Sequence, residues 1–212
     1  TSKHIVQVLR MQNGEQLQLT DGKGNLFTAE ITDNNRKKCS VKITDISSVQ
    51  APISTKAIGI SLVKNSHRFE WFLEKATEIG ITEIYPLICQ RTEKQHFRSD
   101  RMKTILVSAM LQSQQVWLPV LHEPVKFNAL LNQPFYSEKF IAHCENENDK
   151  VQLSAVSSDS STSTLILIGP EGDFTKEEIK LALEQDFIPV ALGNTRLRTE
   201  TAGVVAATLL TK

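Results

Sequence analysis

The stretch from Leu165 to Ile179, LILIGPEGDFTKEEI, constrains this chain more than any other. An apolar run, Leu165 to Ile168, leads straight into Gly169-Pro170-Glu171-Gly172. Thr175 and Glu178 then form the S/T-x-x-E box that opens a helix, a hydroxyl and a carboxylate satisfying backbone N–H groups that the first turn leaves over. The order is strand, tight loop, helix. Glycine in such a loop permits positive φ and close approach of a ligand to the backbone, and proline fixes its neighbours' torsions. On local pattern alone this is first an ordinary capped βα turn, with a binding loop at the carboxyl end of a buried strand as the alternative.

A second stretch, Leu192 to Ala202, LGNTRLRTETA, has the same form. A strand ends at Leu192-Gly193, a loop carries Arg196 and Arg198, and Thr199 is positioned to cap the helix that follows. In an open α/β sheet, loops leaving consecutive strand-helix units converge on one crevice beyond the strand ends. That convergence favours a ligand site. A phosphate cradle is excluded: no G-x-G-x-x-G follows a strand, no G-x-x-x-x-G-K-[ST] occurs, and Glu171 and Asp173 repel a phosphate. A ligand with a cationic centre and an adenine ring suits carboxylates and free backbone groups better.

The rest of the chain divides in two. His4 to Met11 places Ile5, Val8 and Leu9 at helical spacing and predicts a short helix. Leu17 and Leu19, then Phe27, Ala29 and Ile31, alternate with polar residues across the turn signals Asp21-Gly22 and Lys23-Gly24, which predicts a hairpin. A basic tip, Asn34 to Lys38, leads to a third strand at Val41 to Thr44. Residues 1 to about 50 therefore read as a small barrel or curled sheet. Its basic loop tips suit phosphate contacts, although charged tips are equally at home in plain solvent. Ser47 to Pro52 reads as a linker.

Beyond it the pattern changes. Ala57 to Val63 is an apolar run suited to a buried parallel strand. Phe69, Phe72, Leu73 and Ala76 recur at i, i+3, i+4, i+7 on a helix that stops at Gly80. Strand and helix go on alternating through Ile81 to Ile88, Asp100 to Gln115, Phe140 to Ala142 and Phe187 to Leu192, the mark of an α/β layered domain. Trp71 and Trp117, beside apolar residues, read as core rather than as platforms for stacking bases. Trp117 to Leu121 is expected to carry the chain back to the sheet. Cys144 to Ser163, rich in Glu, Asn, Asp, Ser and Thr, reads as a surface loop without a role.

Composition adds limits. With 212 residues, 40% of them apolar, the chain can bury a core and fill two domains. No apolar run is long enough to cross a membrane and Thr1 to His4 opens no signal region, so the expectation is a cytoplasmic protein without a membrane segment. Cys39, Cys89 and Cys144 are isolated and no histidines fall at metal-ligand spacing, which predicts neither a disulfide nor a metal. The formal net charge of zero hides an asymmetry: residues 1–103 hold 16 Lys and Arg against 11 Asp and Glu, and residues 104–212 hold 8 against 13. An electropositive half is compatible with a nucleic-acid partner and equally with a solvated surface of mixed charge.

LIGPEGDF followed by LGNTRLRTETA, with HRFEWFLEKATEIGITEIYPL before them at residues 67–87, closely resembles the RsmE family of SPOUT methyltransferases. The resemblance covers nearly the whole chain. The GPEG and LRTETA elements at this separation are highly specific, and the amino-terminal strands match by pattern alone. It implies an α/β fold: an amino-terminal PUA-like RNA-binding β-barrel over residues 1–50, lacking its first strand, and a SPOUT methyltransferase domain over 56–212 with a trefoil knot in about 140–212. It further implies S-adenosyl-L-methionine as cofactor, no metal, a homodimer, and methylation of N3 of one uridine in small-subunit ribosomal RNA. A different RNA target, or a non-catalytic RNA-binding role in ribosome assembly, is the alternative.

Carried over residue by residue, the cofactor cradle comprises Ile168, Gly169, Pro170, Glu171, Gly172, Leu192, Gly193 and Leu197, with His143 and Glu145 from a further knot loop and Thr201 beside it. Arg198 and Glu200, with Glu171, are the implied catalytic residues: Arg198 beside the target base, and a carboxylate or a water as proton acceptor. The chain departs from the family where Asp173 stands for a usual glycine. Thr195 stands for a usual arginine, with Arg196 at an apolar position, and Leu111 and Gln115 replace the Glu and Arg of A-A-E-Q-S-G-R.

Overall fold

The structure, a computed structural model, describes residues 2–132, 136–145, 150–156 and 161–212. The chain forms two compact units, one of residues 1–51 with 114–117 and the other of residues 52–113 with 118–212.

The first unit is an antiparallel meander of β1 (Gln16–Thr20), β2 (Asn25–Asp33) and β3 (Ser40–Ser48). Leu17 pairs with Ala29 and Ala29 with Ile43, and two residues on Leu19 pairs with Phe27 and Phe27 with Ile46. These residues therefore share one face. The expected helix forms as a single wide turn, His4–Val8, but it buries only Ile5 and leaves Val8 and Leu9 exposed. Five residues are too few to present a full apolar stripe. Trp117 belongs to this unit: its indole Nε1 donates to the Val49 carbonyl at 3.2 Å. Its ring lies over Gly24, where φ is +92° and a Cβ would stand 2.3 Å from the ring. Both the backbone and the close approach require glycine. Trp117 is therefore not the core residue expected: its ring packs over Gly24 within the amino-terminal unit but stays half-buried.

The second unit is built on a parallel eight-stranded sheet. Its strands are β4 (Lys56–Ser61), β5 (Glu83–Ile88), β6 (Val120–Leu121), β7 (Val125–Lys126), β8 (Glu138–Ala142), β9 (Val151–Gln152), β10 (Thr164–Ile168) and β11 (Ile188–Ala191). The order is β6-β5-β4-β10-β8-β11-β9, with β7 also pairing with β5. Every residue of β4 and β10 is buried, as continuous apolar runs require when both faces of a parallel sheet are covered.

Alternation divides the core between the two faces. Ile58, Ile60, Ile166 and Ile168 pack with α1 (Ser66–Ile79), α2 (Ser99–Gln112) and α5 (Thr199–Leu210). Ala57, Leu165 and Leu167 pack with α3 (Phe127–Leu131) and α4 (Lys176–Leu183) on the other face. The Asn65 side chain caps α1, accepting from His67 N, and Gly80 ends it at φ +101°. Phe69, Phe72, Leu73 and Ala76 are buried as the spacing predicts. Trp71 is not: it stays 42% exposed, because it lies off that stripe, one residue before Phe72.

The polar stretch after Cys144 also departs from expectation. It supplies β9 and a short helical turn, Leu153–Ala155, whose Leu153 is buried in the core. Residues 146–149 and 157–160 of that stretch lie outside the described residues. No helix among the described residues is long and apolar enough to cross a membrane.

Candidate functional site

Strands β10, β8 and β11 are neighbours and parallel, so the loops leaving them open side by side at one edge of the sheet. After β10 the chain turns at once, and Asp173 N donates to Pro170 O at 2.9 Å to close Pro170 to Asp173. Gly169 is closely flanked, since a Cβ there would stand 3.1 Å from the backbone nitrogen and ring of Phe174 and would press on both. Phe174 is itself buried against Phe127, with ring centroids 5.2 Å apart.

Asp173, the departure from glycine, adopts φ +63°. Left-handed backbone suits glycine, and Asp is among the few other residues that tolerate it. Here the side chain adds two tethers: Oδ1 accepts from Phe174 N at 2.8 Å and Oδ2 from Cys144 N at 2.7 Å. The GPEG loop is thereby joined to the loop after β8.

The helix box forms in full, Thr175 Oγ1 accepting from Glu178 N while Glu178 Oε2 accepts from Thr175 N. From outside, Arg91 Nη1 donates to Gly172 O at 2.6 Å, and Lys64 N donates to Glu171 Oε1 at 3.0 Å.

After β11, Gly193 takes φ +152° and the chain reaches α5 with Arg198 in the N-cap position, without a side-chain cap bond. Thr199 is the first helical residue rather than the cap. A cap must have extended backbone, and Arg198, at φ −71° and ψ 155°, is the residue that has it.

These three loops enclose a cavity of about 780 Å³. Of the residues singled out by sequence, His143, Ile168, Gly169, Pro170, Glu171, Leu192, Gly193, Leu197 and Arg198 line it. Gly172, Glu145, Glu200 and Thr201 do not. Gly172 faces Arg91, and the Glu145 carbonyl accepts from Lys150 Nζ at 2.5 Å. Glu200 is buried on α5 with Oε1 3.6 Å from Arg68 Nε, and its Oε2 has no hydrogen-bond partner among the described residues.

The cavity also gains residues that sequence reading passed over. Lys150 belongs to the stretch read as having no role, yet its ammonium donates to His143 O at 2.7 Å as well as to Glu145 O. Cys144 and Asp173 complete that side. Burial, and next the Asp173 carboxylate, push the Cys144 thiol above its usual range, while Arg196 and Lys150 oppose the shift. The signal for Asp173 was its departure from the usual glycine; Lys150, in a run of polar residues, gave none.

Comparison with known proteins decides the family. Residues 50–211 match the model of an RNA methyltransferase domain and residues 1–44 that of an RNA methyltransferase PUA domain. A ribosomal RNA small subunit methyltransferase E from Synechocystis sp. is 30% identical over 207 residues, covering 96% of this chain and 68% of that relative. The chain belongs to the RsmE family of SPOUT RNA methyltransferases.

Among solved structures, a probable rRNA methyltransferase from Porphyromonas gingivalis is similar with a TM-score of 0.89 and 39% identity, over 96% of this chain and 87% of that one. A ribosomal RNA small subunit methyltransferase E from Neisseria gonorrhoeae, bound to S-adenosyl methionine, gives a TM-score of 0.84 at 28% identity, over 96% and 85% of the two chains. Family membership makes the cavity between the GPEG loop and the LGNTRLRTETA loop the first place to look for a ligand.

Proposed function

We propose that this chain uses S-adenosylmethionine to methylate N3 of one uridine in small-subunit ribosomal RNA. The observation that carries the reading is the cavity at the ends of β8, β10 and β11, in a chain whose RsmE relatives are named for that RNA and one of which was solved with the cofactor. Its volume falls within the usual range of small-molecule sites, about 300–1,000 Å³. Ile168, Leu192 and Leu197 give an apolar wall for an adenine, and the bare backbone of Gly169 and Gly193 offers hydrogen-bonding groups without side chains in the way. The residues present therefore fit the cofactor, which supplies a methyl group on a positively charged sulfur.

The chain's own residues must handle the uridine. N3 carries a proton at neutral pH and becomes nucleophilic only on losing it. Arg198, exposed on the cavity rim, is assigned to the O2 or O4 side of the base, where its guanidinium stabilises the negative charge that develops. Glu171 is assigned as acceptor of the N3 proton: it lines the cavity, and the bond from Lys64 N to Oε1 leaves Oε2 for that task. Glu200, turned toward Arg68 and away from the cavity, positions the start of α5. The amino-terminal unit, with its basic tip from Arg36 to Lys38, holds the RNA. In the same reading the enzyme works in the cytoplasm as a homodimer with its carboxyl-terminal part knotted.

Two experiments test this. A methyl group on N3 removes the pairing edge of uridine, so reverse transcription of small-subunit RNA stops at the target; the stop should disappear in cells lacking the protein and return with the gene. In single-turnover methylation of reconstituted small subunits, Arg198→Ala should lower the rate roughly 100-fold or more with cofactor affinity intact. Near-normal rates in that variant rule out the role of Arg198, and an unchanged stop pattern rules out the target.

A further inference from the structure

The cofactor cavity is chemically uneven. Apolar side chains and bare backbone form one side, whereas Lys150, Asp173 and Arg196 gather around Cys144 on the other. We propose that these three charged side chains form a subsite for an α-amino acid group, with Lys150 and Arg196 facing its carboxylate and Asp173 its ammonium. The inference rests on the cofactor reading above and assigns the part of the cofactor that it leaves unassigned, the methionyl end.

Lys150 is built into the wall. Its ammonium carries three N–H donors, and two of them hold the His143 and Glu145 carbonyls at 2.7 and 2.5 Å. A half-buried ammonium fixed by two carbonyls is already ordered, so a carboxylate bound to it meets little further loss of side-chain freedom. Asp173 is equally fixed: each oxygen takes one backbone N–H, from Phe174 and Cys144, and each keeps acceptor capacity.

The three charges also agree in sign with the ligand. One anion beside two cations complements a zwitterion whose positive and negative groups are separated by a single carbon. Charge-assisted hydrogen bonds of this kind are about twice as strong as neutral ones. A lone phosphate would be attracted by Lys150 and Arg196 but repelled by Asp173.

Calorimetry with two nucleosides isolates this end of the cavity. S-adenosylhomocysteine has the amino acid group, whereas 5′-methylthioadenosine keeps the adenosine and sulfur and lacks it. The wild-type protein should bind the first at least about tenfold more tightly than the second. Lys150→Met and Arg196→Gln should each shrink that preference severalfold while leaving affinity for 5′-methylthioadenosine unchanged, which also shows that the pocket is intact. Asp173→Asn keeps an acceptor for Cys144 N and a residue suited to positive φ, and should shrink the preference as well. Equal affinity of the wild type for both nucleosides, or a wild-type preference in all three variants, overturns the subsite alone. If the wild type binds neither nucleoside, the cofactor reading falls and the subsite with it.

Discussion

Gly203 of α5 and Phe72 of α1 meet so closely that a Cβ on Gly203 would stand 2.6 Å from two carbons of the Phe72 ring and 2.8 Å from Ile60. Helix α5 therefore approaches both α1 and β4 along a face that has no room for a methyl group. Two opposing effects decide what Gly203→Ala does. Alanine is the better helix former by about 1 kcal/mol. Overpacking a filled core costs about 1–3 kcal/mol, and here the nearest obstacle is a fully buried ring, with the Ile60 Cδ1 methyl just beyond it. The clash should win, and Gly203→Ala should lower the urea midpoint by an amount equivalent to up to about 2 kcal/mol. A midpoint equal to or above wild type would mean that α5 can move away from Phe72.

Glu178 has two tasks at opposite ends of one carboxylate. Oε2 closes the helix box by accepting from Thr175 N at 2.9 Å, and Oε1 accepts from Gln90 N at 2.8 Å, just beyond β5. The side chain is almost fully buried. Glu178→Ala leaves both N–H groups without this acceptor, and unmet buried donors cost about 1–3 kcal/mol each. Loss of about 2–4 kcal/mol is expected, measured by chemical denaturation. Glu178→Gln, which can still serve one of the two donors, should cost less.

The double task of Glu178 shows what a linear chain conceals. The T-x-x-E spacing announces the bond to Thr175 because both partners lie in one turn, whereas Gln90 lies far away in sequence and carries no motif. The same contrast holds elsewhere. Phe69, Phe72, Leu73 and Ala76 were legible because helical period alone selects them, and the convergence of the two loops was legible because each leaves an apolar run. Lys150 and Leu153 were not legible: a polar stretch weighs against burial, and only the position of β9 at the sheet edge brings them inward. Trp117 suggested a buried ring where the ring is only half-buried, and it did not announce its partner, since Gly24 is remote and its clearance is a three-dimensional property.

Glu70 on α1 and Arg101 on α2 form a two-point pair, Nε to Oε1 at 2.5 Å and Nη2 to Oε2 at 2.7 Å. The Arg101 hydrogen bond holds the Glu70 carboxyl below its ordinary value of 4.5, against a desolvation that raises it. A carboxyl whose folded value is depressed contributes stability that is complete above its unfolded value and fades as pH falls through the folded one. Arg101→Met should therefore destabilise the protein slightly at pH 7, since solvent screens an exposed pair. As pH falls through the lowered folded value, the difference between variant and wild type should shrink toward zero. Thermal melts at pH 7, 4.5 and 3 check this, and a pH-independent difference would assign the effect to lost packing of the arginine stem.

Arg68 and Glu200 are unequal partners, and their inequality separates structure from chemistry at the start of α5. The Glu200 side chain is 9% exposed and that of Arg68 39%. Glu200 Oε2 has no hydrogen-bond partner among the described residues, so the field of Arg68 is the main compensation recorded for a charge taken out of water. Removing the cation leaves that charge uncompensated, while removing the anion leaves a cation that can turn to solvent. Arg68→Met should thus cost more than Glu200→Gln, about 1–3 kcal/mol against less than about 1, since water already reaches the arginine. Single-turnover methylation then reads the second half. Glu200→Gln should keep the rate within a few-fold of wild type, because this carboxylate lies outside the cavity, whereas Glu171→Gln should lower it by about 100-fold, the low end of what a positioned base contributes. The reverse order, with Glu200→Gln the inactive variant and its stability intact, would move the proton acceptor from the GPEG loop to α5.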